Sequence, residues 1–341
     1  VLKRHLWLLP LFAATIAAFF LSVSVGPVSI PLNNVFRVFL GGEVDIDTWS
    51  TIILTLRLPK AITAVLAGAS LAVSGLNMQT IFRNPLADPY VLGISSGATL
   101  GVAILILGTG VAGKALLPRL DVLGGVGLIL AASLGSAFVF MLVMLASRNL
   151  RNMVALLIIG LMMGYAISAL VSLMIYTSVP EQVQAFNGWL LGSFGGVTWD
   201  NLSTLTVAVC LGLIVSFFCA KPLNALLLGE NYASSMGVNV RKARWWIIAS
   251  ASLLAGSITA FCGPIGFLGV AVPHFARALL NTSDHRRLIP AVAILGALLA
   301  LVFDLLTQLP GISIILPLNA VTSLIGAPLI IWVILRKNRF L

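Results

Sequence analysis

Gly108-Thr109-Gly110-Val111-Ala112-Gly113-Lys114-Ala115 is the stretch of this sequence that comes nearest to a phosphate-handling motif. In the GxxxxGK[ST] pattern the glycines let backbone N–H groups approach phosphates, the lysine reaches the terminal phosphate and the last hydroxyl holds Mg²⁺. Ala115 has no hydroxyl, and no strand pattern precedes Gly108, so no nucleotide site is expected here. Other chemistry-bearing residues are sparse. Asp304 is the one acid inside a long apolar run, which leaves two readings: a structural partner of a nearby donor, or the proton relay of an ion-driven carrier. Cys210, Cys219 and Cys262 lie in or beside apolar runs without ligand spacing and read as buried small hydrophobes. No nucleophile and base are paired in a way that indicates an enzyme.

The elements that must position these residues follow from composition. With 60% hydrophobic and 9% charged residues over 341 positions, lipid has to be the main solvent. Inside a bilayer every backbone polar group needs an internal partner, and long apolar runs without strict alternation satisfy that as helices. The expected fold is therefore all-α, a polytopic membrane bundle forming one domain. Matching apolar runs to the ~20 residues that cross the hydrocarbon gives about ten spans. They fall near 6–25, 52–80, 91–108, 121–146, 153–176, 200–220, 245–262, 264–280, 289–308 and 316–335. The eighth, with Gly263-Pro264 before it and Pro273 inside it, is the one most open to being short or broken. The first follows Lys3-Arg4-His5 and is read as a span, because its apolar run is long for a secretory leader.

Both termini are placed in the cytoplasm, which distributes the 20 lysines and arginines as fifteen inside and five outside. That bias is what the positive-inside rule requires. The formal charge of +10 is thus a topology signal and points to no nucleic-acid partner. The Gly108–Ala115 stretch falls outside the cell, where ATP is scarce, so ATP hydrolysis would belong to another chain.

Three segments carry more than topology. Gly93, Gly97 and Gly101 recur every four residues and allow close helix approach. Arg83-Asn84-Pro85-Leu86-Ala87-Asp88-Pro89 is a tight loop in which Asn84 and Asp88 are expected to cap backbone groups. The gap 221–240 alternates short helix-forming stretches with Gly229 and Gly237 as punctuation, and it is too apolar for a solvated loop. A partner surface or the lipid headgroups would cover it.

Taken together these stretches resemble the FecCD-type permeases, the membrane subunits of importers for ferric siderophores, haem and vitamin B12. The resemblance rests on Arg57-Leu58-Pro59-Lys60, Ala67 to Gly75, Gln79 with Arg83 to Pro89, Val91 to Ala98 and Trp189 to Gly192. It continues through Leu226 to Glu230 with Ala233 and Gly237, Gly263 to Gly269, Pro273-His274 with Arg277, Asp284-His285-Arg286 and Gly326 to Pro328. What it implies is a non-enzymatic transport subunit in a bacterial or archaeal cytoplasmic membrane. Its partners would be a second permease, as a homodimer, two cytoplasmic ATPase subunits that use ATP and Mg²⁺, and an external binding protein. This chain would hold no cofactor or metal, and its leading cargo would be an iron chelate, with cobalamin or an oxyanion as alternatives.

The resemblance also assigns sites. Leu226, Leu228, Gly229, Glu230, Ala233 and Gly237 would form the coupling segment that sits in the ATPase, with Glu230 as polar anchor. Arg57 and Lys60 would grip acidic residues of the binding protein, although interfacial snorkelling also accounts for them. Met162, Met163, Tyr165 and Met174 are candidate pathway residues, core packing being the other account. Two positions depart from the family pattern: Gln308 stands where an arginine is common, and Asn319 interrupts an acidic-Leu-Pro-Val-Gly pattern.

Overall fold

The computed structural model describes residues 8–42, 44–108, 125–149, 153–308 and 316–337. The Gly108–Ala115 stretch therefore lies almost entirely outside the described residues. In chain order the helices are α1 (Leu8–Ser24), α2 (Leu32–Phe39), α3 (Asp47–Phe82), α4 (Ile94–Ile106), α5 (Gly125–Asn149), α6 (Met153–Thr177) and α7 (Pro180–Leu190). They continue with α8 (Trp199–Phe218), α9 (Ala220–Leu227), α10 (Glu230–Ser235), α11 (Val240–Cys262), α12 (Leu268–Leu280), α13 (His285–Thr307) and α14 (Leu318–Lys337). The all-α bundle expected from sequence is what forms.

α3 is the axis of the bundle: every residue from Ala67 to Ile81 is buried, and α8, α11, α12 and α13 pack around it. Small residues make that possible. A Cβ at Gly68 would collide with the Gly296 carbonyl of α13, and one at Gly75 with the Gly269 carbonyl of α12. The Gly97 and Gly101 backbones likewise lie against Gly135 and Ala131 of α5, the close approach that the four-residue glycine spacing anticipates. Gly68→Leu is accordingly expected to separate α3 from α13 and cost about 3 kcal/mol or more, read as a lowered unfolding midpoint of the purified protein.

Among the described residues, five helices are long and apolar enough to cross a membrane: α3, α6 (from Ala155), α8, α11 and α13. Four more apolar helices are shorter, α1, α4, α12 and the Gly127–Val143 part of α5. The expected spans at 91–108 and 264–280 are the clearest corrections. Each contains a helix of 13 residues, which rises ~20 Å against ~30 Å of hydrocarbon. Backbone breaks shorten both. Pro89 to Leu92 form a 3₁₀ turn ending on Gly93 at φ +74°, and the 263–267 loop turns on Gly263 at φ +77° and Phe267 at φ +80°. The expected caps are present: Asn84 Oδ1 accepts from Leu86 N at 3.0 Å and Asp88 Oδ1 from Tyr90 N at 2.8 Å. Cys219 and Cys262 are buried as expected, but Cys210 is exposed on α8.

Toward its N-terminal end α3 is widened into a π-helical stretch, Ile52–Arg57. Pro59 has no N–H to return to the carbonyl four residues earlier, so the ladder slips there. Trp199 uses one freed carbonyl, donating its indole N–H to Leu54 O at 2.8 Å.

Candidate functional site

The segment between α8 and α11 folds back against α3, α11 and α13. Pro222 is tolerated in the first turn of α9, and Gly229, at φ +121°, reverses the chain before Glu230 opens α10. A Cβ at Gly229 would lie 3.3 Å from the Arg83 guanidinium, so glycine serves both turn and contact. Leu223, Ala225, Leu226 and Ala233 are buried, fastening the segment to the bundle. Leu228, at 65% exposure, projects outward with Leu227, Tyr232 and Met236. Glu230 and Gly237 lie on the same margin. The six residues singled out from sequence are thus divided by the structure, Leu226 and Ala233 inward and the other four toward or along the open face.

Polar contacts tie this segment to the spans. Asn224 Nδ2 donates to Asp284 Oδ1 at 2.7 Å, while its Oδ1 accepts from the His285 backbone N–H and from His285 Nδ1, both at 2.8 Å. Because that amide oxygen can only accept, the imidazole proton sits on Nδ1, and Nε2 takes the Thr80 hydroxyl at 2.8 Å. These bonds join α9 to the start of α13 and the end of α3. Glu230 Oε1 pairs with Arg244 Nη2 of α11 at 2.7 Å. At the neighbouring corner Gln79 Oε1 accepts from Arg277 Nη1 at 2.7 Å and its Nε2 donates to Val270 O at 3.1 Å, joining α12 to α3.

The Asn224 amide, and after it the neighbouring N–H and arginines, hold the Asp284 carboxyl below its ordinary value of 3.8, against the opposing effect of burial. A carboxyl depressed in the fold stabilises above its unfolded value and loses that contribution as pH falls through the folded one. Asn224→Leu is expected to shrink the loss of stability on acidification below about pH 4, read by unfolding midpoints across that range. An unchanged acid limb would show that the amide does not govern this carboxyl.

At the opposite end of α3, Arg57 and Lys60 are turned into the bundle. Arg57 is buried, and its guanidinium donates to the carbonyls of Val23 and Ser24 at the end of α1 and of Val28 in the turn that follows. Lys60 Nζ lies 2.9 Å from Asp304 Oδ1, with the two side chains 19% and 3% exposed. Asp304 also accepts from Ser22 Oγ at 3.2 Å and Gln308 Nε2 at 3.1 Å. Neither cation is the freely projecting charge that the sequence leads one to expect. Both readings of Asp304 meet here, and the geometry is that of a structural partner joining α1, α3 and α13. Gln308 supplies a neutral donor to a carboxylate that Lys60 already balances. Asn319 pins two loops, its Oδ1 accepting from Gly266 N at 3.3 Å and its N–H donating to Leu191 O at 3.1 Å.

α6 is packed along one side only. Met163 and Met174 lie against the core, whereas Met162 and Tyr165 are exposed, in line with Tyr176 along the helix. Sequence reasoning missed Asn224, Arg244 and the role of His285; the one signal for Asn224 was an amide on the buried face of an otherwise apolar short helix.

With this geometry in view, comparison with known proteins is decisive. The model of the FecCD transport family matches residues 14–336. The chain belongs to the FecCD transport family. The vitamin B12 import system permease protein BtuC of Salmonella paratyphi A is 34% identical, covering 98% of this chain and 96% of that protein. The hemin transport system permease protein HmuU of Yersinia pestis is 35% identical, covering 93% and 91%. A solved structure of an inward-facing conformation of a metal-chelate type ABC transporter superposes with a TM-score of 0.82 at 29% identity, covering 96% of this permease and 98% of that chain. This FecCD permease is a multi-pass inner-membrane transport subunit and not an enzyme. Permeases of the family work in pairs, with ATPase subunits and a substrate-binding protein.

Proposed function

We propose that this permease passes a bulky metal chelate intact, with cobalamin the first cargo to test, haem the second and a ferric siderophore the third. What carries the order is that vitamin B12 permeases align over 98% of this chain, somewhat more than the hemin permease does. An iron chelate, the leading expectation from sequence, therefore yields first place. Uptake of labelled cobalamin, haem and ferric siderophore in cells with and without this chain tests the order. Loss of cobalamin uptake alone supports it, and loss of haem or siderophore uptake alone reassigns the cargo.

In this reading the permease is a homodimer in which each copy makes ten crossings, the nine apolar helices with α14, the shorter ones crossing together with their flanking loops. The open face of Leu228, Glu230 and Gly237 seats in the ATPase, and Leu226 and Ala233 hold that face to the bundle. The exposed side of α6, with Met162 and Tyr165 backed by Met163 and Met174, faces the second copy and lines the pathway. The conformation is inward-facing, its outer end closed by Lys60 and Asp304. Docking of the binding protein frees Arg57 and Lys60 from these inward partners, which couples arrival of cargo to opening of the outer end.

A further inference from the structure

A cavity of about 500 Å³ opens where α8 ends and α11 begins, at the ends of two membrane-spanning helices. Val215, Phe218, Cys219 and Trp246 give it apolar walls, and Lys242 with Asn239 supplies the polar side chains of its rim. Phe218, one of its walls, is 78% exposed. Val207, Leu211, Ile214 and Phe218 recur at intervals of four, three and four residues, all more than half exposed, so one stripe of α8 runs through the bilayer into the cavity mouth. Trp245 and Trp246, both exposed, stand at the start of α11, where indoles favour the headgroup level.

The charge at the rim is of one sign. No carboxylate lines the cavity, Lys242 makes no ion pair among the described residues, and Glu230 is already taken by Arg244. The Asn239 side chain is likewise engaged, its Oδ1 accepting from the Lys242 backbone N–H at 3.0 Å. That leaves an apolar chamber open to lipid tails with one unpaired ammonium group at headgroup height. We propose that it is a binding site for an anionic phospholipid, one acyl chain lying in the chamber along Phe218 and the phosphate meeting Lys242. An annular lipid would need only the apolar stripe; the lysine at the mouth is what selects an anionic headgroup.

The test uses the full chain reconstituted in phosphatidylcholine vesicles, with Trp246 as reporter and the Trp246→Phe variant subtracted to isolate its emission. Phosphatidylglycerol with brominated chains is expected to occupy the site about fivefold more than brominated phosphatidylcholine, the preference one lysine near a charged headgroup provides, and Lys242→Gln is expected to abolish that excess. Equal quenching by the two lipids overturns the proposal, as does an excess that survives Lys242→Gln. Relief of quenching by inorganic phosphate would mean a free-anion site and also overturn it. If Lys242→Gln releases the ATPase while lipid quenching is unchanged, the cavity belongs to the protein partner instead.

Discussion

Lys60→Met and Asp304→Leu, made singly, are each expected to destabilise the permease by about 3–5 kcal/mol, and the double variant to recover most of that loss. The asymmetry follows from burial. Removing one member of a buried pair leaves the other charge uncompensated, whereas removing both exchanges an ion pair for apolar contact. Lys60→Met should be the worse single change, because Asp304 is the more deeply buried member and cannot reach water, while a freed lysine can extend its stem toward the interface. Unfolding midpoints of the purified protein check the order. The same three variants separate two mechanisms. If Asp304 relays protons, transport is lost in both variants that lack it. If it clasps α1, α3 and α13, the double variant regains uptake that each single variant loses.

The second large effect is expected at the inner face. Leu228→Asp places a charge on a side chain that touches little of the bundle, so the fold should be unaffected, yet retention of the ATPase should fall about tenfold or more. Glu230 requires a finer test because Arg244 already holds it at 2.7 Å. Glu230→Lys should release the ATPase either by losing an anchor or by expelling α10 from its place. Exchanging the charges, with Glu230→Arg and Arg244→Glu together, restores the internal pair. ATPase retention regained in the exchange would make Glu230 a positioning residue; retention still lost would make it a contact to the partner. Undiminished co-purification of the ATPase with Leu228→Asp would remove this segment from the interface.

The contrast between the two ends of α3 shows what was legible in the sequence. The span itself, the Asn84 and Asp88 caps and the four-residue glycine spacing that opens α4 depend on local spacing, and local spacing is what a sequence displays. The 263–267 loop was counted within a span because Ile265 and Phe267 are as apolar as helix residues, while the positive φ angles that break the helix there leave no trace in hydropathy. The facing of Arg57 was hidden for a geometric reason. One extra residue per turn in the Ile52–Arg57 π stretch rotates the side chains by about 100° relative to an unbroken α-helix. Pairs such as Lys60 with Asp304, or Asn224 with His285, join residues far apart in the chain, and no periodicity connects them. Gln308 and Asn319 read as lost family features until the structure showed them as donors and acceptors at the outer end.

The decisive measurement is cobalamin uptake into vesicles carrying the permease with its ATPase and binding protein, with ATP supplied and the proton gradient collapsed, and then with the gradient imposed and ATP withheld. Uptake in the first condition and none in the second, lost again when Leu228→Asp replaces the native chain, is the result the account predicts. Uptake that follows the gradient and ignores ATP would contradict it and make the chain an ion-driven carrier.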